Sequence, residues 1–463
     1  MKILIFGTGQ FFENRHDILN CEIEIVGFID NDISKVGTSF YGYEVFPPWF
    51  VSNLIFDYIL LMTMSIDEVT DQLLSYEVDR NKIVSYSDFI GEVRDSYERI
   101  TASGRKSDQI RILIVYTNLI KGGAAFAAIN AAKVLRNLGY NCAVAAERIG
   151  KTVCWELIEA GIDVIKTTRI YSNKSEDKGW IDEFDIIIAN SIDMLPFAVS
   201  VSHIKQTMLW LHDPYGRMKN VTEILCKKKL ECIKSIHVYS VSDVAKRNFQ
   251  KIFPQKNKIG DLAYGIPDCP VVKSQTNKVI IALIGWFDYI KGQDIFLDAC
   301  DYIEDVIPSN VEFWLIGRDQ KRGTFDEKIM GRVKQKPNVK CIEHLEKSEI
   351  LKLYSQIDIV VSASREDMLP TVLVEGFMNS KICITSDATG IAPYITDGKN
   401  GFVFQNEDSK GLSEILRWCI HHPEELPQIE REGRAIYEKQ FSIESFGIRL
   451  EKAIAECIEK KSN

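Results

Sequence analysis

The sequence predicts an α/β protein whose sheets are parallel. Three openings carry that expectation: MKILIFGTGQ at residue 1, RILIVYTNLIKGG at residue 111 and KVIIALIGWFDYIKG at residue 278, each an apolar strand run leading into a glycine turn and a helix. After each opening, strand runs go on alternating with helical stretches, the pattern of a parallel sheet covered by helices on both faces. At roughly 150 residues per domain, the 463 residues hold about three domains. The expected boundaries are a small α/β unit at 1–90, a charged linker at 91–109, two larger α/β domains at 110–272 and 273–435, and a terminal helical segment at 436–463.

In the first unit the opening strand ends in Gly7-x-Gly9, and a second strand run, EIEIVGFIDND, ends in Asp30. Strand, glycine turn, helix, strand and acid is the order of a mononucleotide-binding half. Gly7, Gly9 and Asp30 are therefore the candidate ligand residues of this unit. Phe12 stands where a third glycine would let helix and strand close up. Asp30-Asn31-Asp32 has the Asp-x-Asp spacing of some metal sites, but directly after a strand it is expected to be a turn. Strands at 58–62 and 83–85, around a helix at 67–74, complete the unit.

The second opening leads through Gly122-Gly123 into an alanine-rich helix closed at Gly139, and strands follow at 185–189, 207–211 and 237–240. Glycines here let the backbone approach a phosphate where a side chain would clash. His212, in TMLWLHD, leaves the end of the 207–211 strand, the edge at which open α/β sheets bind ligands. After the third opening, strands recur at 312–316, 339–342, 357–362 and 382–385. Leu412, Ile415, Leu416, Cys419 and Ile420 share one helical face and are expected in the core. A last helix spans 443–459.

The stretch VSASREDMLPTVLVEGF, from residue 361, carries the most chemistry. A strand run enters a polar loop, and Pro370 suits the first turn of a helix, where a missing N–H costs nothing. That helix carries Glu375 just over a turn inside its start and ends near 379–381. Its free first-turn N–H groups and dipole suit a phosphate. Glu375 is then within reach of sugar hydroxyls on the same ligand. Further on, Gly390 in DATGIAPYI and Gly401 in DGKNGFVF mark two turns. Upstream, Lys291 closes Gly285-x5-Lys291-Gly292.

These residues are similar to the acidic-pair motif, Glu-x7-Glu, of the family 4 glycosyltransferases. The resemblance covers roughly residues 111–459 and implies the GT-B fold, two facing Rossmann-like domains, with the small N-terminal unit as an additional Rossmann-like domain. It implies that the first acid, Asp367 or the adjacent Glu366, contacts the transferred sugar and that Glu375 contacts the nucleotide ribose. By the same resemblance Lys291 stabilises charge on the diphosphate, Gly122 and Gly123 face donor and acceptor, His212 faces the transferred sugar, and Leu369, Thr371 and Gly390 belong to the donor site. Gly401 is expected to be a fold marker. Family members usually place an arginine where this chain has Trp286, which is expected to pack. The terminal helix is expected to cross back to the first large domain.

The activity implied is transfer of a sugar from a UDP-, GDP- or TDP-sugar to a glycan or lipid-linked acceptor with retention of configuration, in surface polysaccharide assembly. No cofactor, metal or side-chain nucleophile is required on that scheme. Two other readings stay open: a non-catalytic nucleotide-sugar binder, and an NAD-dependent sugar-modifying enzyme acting through Gly7, Gly9 and Asp30.

Composition narrows the field further. A net charge of −9 argues against a nucleic-acid partner, although lysines cluster at 227–229. Eleven cysteines without a C-x-x-C pair suggest reduced thiols and a cytoplasmic setting, and the seven histidines, with His421 and His422 adjacent, show no zinc spacing. The 1–7 apolar run is too short for a signal peptide, and no stretch approaches the roughly 18 apolar residues of a membrane span, so any membrane contact is expected to be peripheral. Oligomeric state leaves no trace in the sequence.

Overall fold

The structure, a computed structural model, describes residues 1–13, 23–63, 65–89, 96–104, 109–120, 122–172, 176–223, 231–274, 277–318, 324–343, 345 and 347–459. The lysines at 227–229 and parts of the 91–109 segment lie outside the described residues. Two compact units are present, Met1–Arg99 with Ile165–Asp182, and Ile100–Val164 with Glu183–Asn463.

The first unit is built on a sheet ordered Ser39–Phe40, Tyr43–Phe46, Glu24–Ile29, Lys2–Phe6, Tyr58–Leu61, Ile83–Ser85. Every neighbour pair is parallel except the first. Because strand side chains alternate faces, Ile3 and Ile5 enter one core with Phe12 and Phe28, while Leu4 and Phe6 enter another with Val69 and Leu73. Phe12 is fully buried and meets Phe28 edge-on at 5.0 Å. An aromatic core thus occupies the place of a third glycine. Gly7 has φ +107°, and a Cβ there would lie 2.7 Å from the Met62 carbonyl oxygen, so this turn admits no other residue without strain.

In the second unit, six strands lie side by side in the order Ile259–Asp261, His237–Ser240, Gln206–Leu211, Ile186–Asn190, Arg111–Val115 and Asn141–Ala146, all parallel. A second parallel sheet is ordered Val339–Glu343, Val311–Arg318, Val279–Ile284, Ile359–Ser362, Ile382–Ser386, Phe402–Phe404. Its core packs Phe296 against Phe313, with Leu412, Leu416 and Cys419 of the Ser409–His421 helix buried among them. The chain reverses its direction of travel between strands 111–115 and 186–190 in the first sheet, and between 279–284 and 359–362 in the second. Loops at the C-terminal ends of strands flanking such reversals form the binding crevice of open α/β sheets. The terminal helix, Ile443–Glu459, returns to the first sheet: Phe446 stacks on Trp210 at 5.7 Å, and Tyr239 donates to Glu456 at 3.0 Å. This is the GT-B architecture.

Candidate functional site

In the second sheet, both reversal loops carry charge toward one point. After Val279–Ile284 the chain turns through Gly285 and Trp286 into a 3-10 turn, Tyr289–Lys291, which Asp288 caps by accepting from the Ile290 N–H at 2.8 Å. Gly292 follows at φ +70°, where a Cβ would sit 2.0 Å from the Ala363 carbonyl oxygen. Only glycine lets the lysine turn lie this close to the loop after Ile359–Ser362. Arg365 fastens the two loops: its guanidinium binds Asp294 at 3.0 and 2.9 Å and Glu407 at 2.7 Å, and stacks over Tyr289 at 3.7 Å. The outcome is a Lys291–Asp367 ion pair of 2.7 Å. Asp367 raises the Lys291 pKa by charge and hydrogen bond against the opposing effect of burial.

The paired acids diverge. Glu366 Oε1 accepts from the Asn248 side-chain amide at 2.7 Å and from the Tyr215 N–H at 3.2 Å, both on the first-sheet side. Asp367 instead lines a cavity of about 370 Å³, with Gly123, His212, Lys291, Leu369 and Thr371. Pro370 is the N-cap, with ψ 110°, so Thr371 rather than Pro370 opens the helix Thr371–Met378. Across the cavity, Gly123 opens the helix Gly123–Asn137 after Gly122 at φ +107°. A Cβ on Gly123 would meet the Thr371 hydroxyl at 3.3 Å. Two helix N-termini therefore border one space.

His212 leaves its strand as expected by position. Its ring lies 4.5 Å from that of Trp210 and stacks on Tyr264 at 6.5 Å, and its buried Nε2 has no partner. Burial pushes its pKa down to about 3, so the imidazole is neutral at pH 7. Tyr264 donates to the Leu369 carbonyl at 2.7 Å and lies 2.9 Å from the Thr371 hydroxyl, joining the two lobes behind the cavity.

Other sequence expectations are met differently. Trp286 is not packed away: it is 47% exposed and lines the cavity beside Lys291. Its carbonyl accepts from the Gln293 side-chain amide at 2.7 Å, one of the bonds that hold the loop. Glu375 is 5% exposed and accepts from the Tyr354 hydroxyl at 3.2 Å, away from the cavity lining. Gly390 sits behind the acid loop, where its N–H donates to the Asp367 carbonyl at 2.8 Å and a Cβ would collide with the Met368 oxygen at 1.7 Å. Gly401, at φ +151°, abuts Cys383 in the sheet.

Asp213 was not legible as a site residue. It lines the cavity and accepts from the Ser191 hydroxyl at 2.9 Å, the Ile192 N–H at 2.7 Å and the His212 N–H at 3.3 Å. Burial first, and then the charge of Asp193, push its pKa up to about 6. Its only sequence signal is adjacency to His212. Asn248 and Tyr264 carry no motif, and Arg365 lies in the acid-pair stretch without a pattern that marks its role.

In the N-terminal unit, Gly7, Gly9, Asp30 and Lys35 line a separate cavity of about 470 Å³. Asp30 is committed to its own turn, accepting from the Thr8 N–H at 3.0 Å, the Thr8 hydroxyl and the Asp32 N–H at 2.9 Å. Asp32 caps the next turn through Ser34 at 3.0 Å.

Residues 270–436 match the family model for glycosyl transferases group 1, and residues 1–84 match that for C2185-like, N-terminal. Among curated proteins, the chain is 25% identical over 142 residues to the capsular polysaccharide biosynthesis glycosyltransferase CapM of Staphylococcus aureus, covering 31% of this chain and 37% of that one. The chain spans less than half the length of the curated relatives it matches. Among solved structures, Anabaena HepE in complex with UDP-glucose superposes with a TM-score of 0.62 at 18% identity, over 75% of this chain and 100% of that one. A glycosyltransferase from Rickettsia africae gives 0.63 at 17%, over 76% and 99%. Residues 270–436 are thus similar to the glycosyl transferases group 1, and the chain has the GT-B fold.

Proposed function

We propose that this protein transfers a sugar from a nucleoside-diphosphate sugar to a hydroxyl of a glycan or lipid-linked acceptor, with retention and without a metal ion. The observation that carries the reading is the Lys291–Asp367 pair in one cavity that two helix N-termini also line. A leaving diphosphate needs fixed positive charge, and an ammonium with oriented N–H groups supplies it without reorganisation. In this reading the bond from the anomeric carbon to the diphosphate oxygen breaks and the acceptor oxygen bonds to the same face of that carbon. The acceptor proton passes to the departing diphosphate. Neutral His212 meets a sugar hydroxyl, while the backbone at Gly123, Leu369 and Thr371 lies along the donor and Gly122 turns the chain into the Gly123–Asn137 helix. For Glu375 to reach the ribose, its Tyr354 bond gives way to a ribose hydroxyl.

HepE, which shares this fold, forms a complex with UDP-glucose, and that supports UDP-glucose as the first donor to test. The similarity to CapM supports a place in surface polysaccharide assembly. A cytoplasmic site of action with peripheral membrane contact fits that role. Among the described residues, no helix is long and apolar enough to cross a membrane. Trp286 beside the ammonium favours one second reading, nucleotide-sugar binding without transfer. Nucleotide release from a panel of UDP-, GDP- and TDP-sugars in EDTA, with anomeric configuration read by NMR, tests the proposal. A retained linkage and release in EDTA support it, and binding without release establishes the second reading instead.

A further inference from the structure

Lys291 has a partner within the protein. Its ammonium lies 2.7 Å from Asp367 Oδ2, whose side chain is 13% exposed, and among the described cavity-lining residues it is the one cation. The other charged group there is Asp213, a second acid. A diphosphate entering this space therefore competes with Asp367 for the same ammonium.

The geometry points to Asp367 as a specificity residue that acts by partner exchange: it holds Lys291 until a diphosphate takes it, and it is then repaid only by hydroxyls of an attached sugar. This inference rests on the proposed donor site and extends it. A carboxylate that loses its partner in a poorly hydrated place carries a desolvation penalty, whereas one that gains hydroxyl donors does not. The intact donor satisfies both ends of the exchange. The free nucleoside diphosphate, which is the product, satisfies only Lys291 and leaves Asp367 unpaired in a cavity that Asp213 also lines. The site so favours the sugar-bearing ligand over its own product, and it does so without any added contact to base or ribose. Glu366 has no part in the exchange, since its carboxylate is tied to Asn248 and Tyr215.

Calorimetric titration of the full chain with UDP and UDP-glucose, GDP and GDP-mannose, and TDP and TDP-glucose tests this, using wild type, Asp367→Asn and Asp367→Glu. Expected for the pair that binds is a donor affinity roughly tenfold above that of the matching diphosphate in wild type. Asp367→Asn, which no longer holds the ammonium by charge, tightens the free diphosphate and brings the ratio close to one. Asp367→Glu keeps the charge and keeps a ratio above one. Asp367→Ala reads the same ratio if the amide variant does not fold. A diphosphate affinity that is unchanged or weaker in the neutral variants overturns the exchange while leaving the donor site standing. Wild type that binds none of the six compounds overturns the donor site itself, and the exchange with it.

Discussion

Replacing Glu366 and Asn248 by alanine, singly and together, separates the two acids that the sequence leaves interchangeable. The carboxylate of Glu366 accepts two hydrogen bonds from the first-sheet lobe, at 2.7 Å from Asn248 and 3.2 Å from Tyr215. A hydrogen bond to a charged group contributes about 1.5–3 kcal/mol, and partial exposure here reduces the Asn248 bond to about 1 kcal/mol. If that tie only aligns the two walls of the cleft, Asn248→Ala lowers kcat/KM by about fivefold, and Glu366→Ala, which also loses the Tyr215 bond, lowers it by at least as much. The double variant then falls no further than Glu366→Ala, because that substitution already removes the Asn248 bond together with the weaker one to Tyr215. Nucleotide release under single-turnover and steady-state conditions gives all four corners of the cycle. A loss of a hundredfold or more in Glu366→Ala, with Asn248→Ala near wild type, would refute the reasoning, because Glu366 would then be touching the sugar itself.

Two further expectations follow from buried groups. The folded pKa of Asp213, about 6, lies above the ordinary 3.8, so its contribution to stability is full below pH 4 and is lost as pH rises through 6. A shift of that size corresponds to about 3 kcal/mol. Asp213→Asn removes this dependence, and the stability of wild type relative to the variant should fall between pH 4 and pH 7 in thermal melts; parallel curves would show that Asp213 titrates normally. Gly390→Ala forces a Cβ against the Met368 oxygen and the Ser242 side chain. It should cost about 3 kcal/mol, seen as a lower melting midpoint and faster proteolysis. An intact melt with selective loss of donor binding would make Gly390 a ligand contact instead.

Much of the architecture was legible because parallel strands buried on both faces read as apolar runs, and their lengths survive in the sequence. The His237–Ser240 strand and the Ile443–Glu459 helix fall where the apolar pattern puts them. Lys291 was legible for a local reason: glycine at 292 is required for one loop to pass another, and that requirement leaves a motif. What the sequence hid depends on distance along the chain. Glu366 and Asp367 are neighbours with opposite partners, one 118 residues away in Asn248 and the other 76 residues away in Lys291. Residue type alone cannot say which faces the cavity. Trp286 misled for a related reason: a large apolar ring usually packs, but here it stays half exposed at the cavity edge.

The central claim is that one ammonium between two helix ends holds the diphosphate of a sugar nucleotide. Calorimetric titration of wild type and Lys291→Gln with the preferred sugar nucleotide, in EDTA, tests it most directly. The account predicts binding by wild type with the metal removed, and an affinity lower by about thirtyfold or more in the variant, as expected when a charge-assisted contact of about 2 kcal/mol or more is lost. Equal affinities, or binding that appears only when a divalent cation is restored, would contradict it.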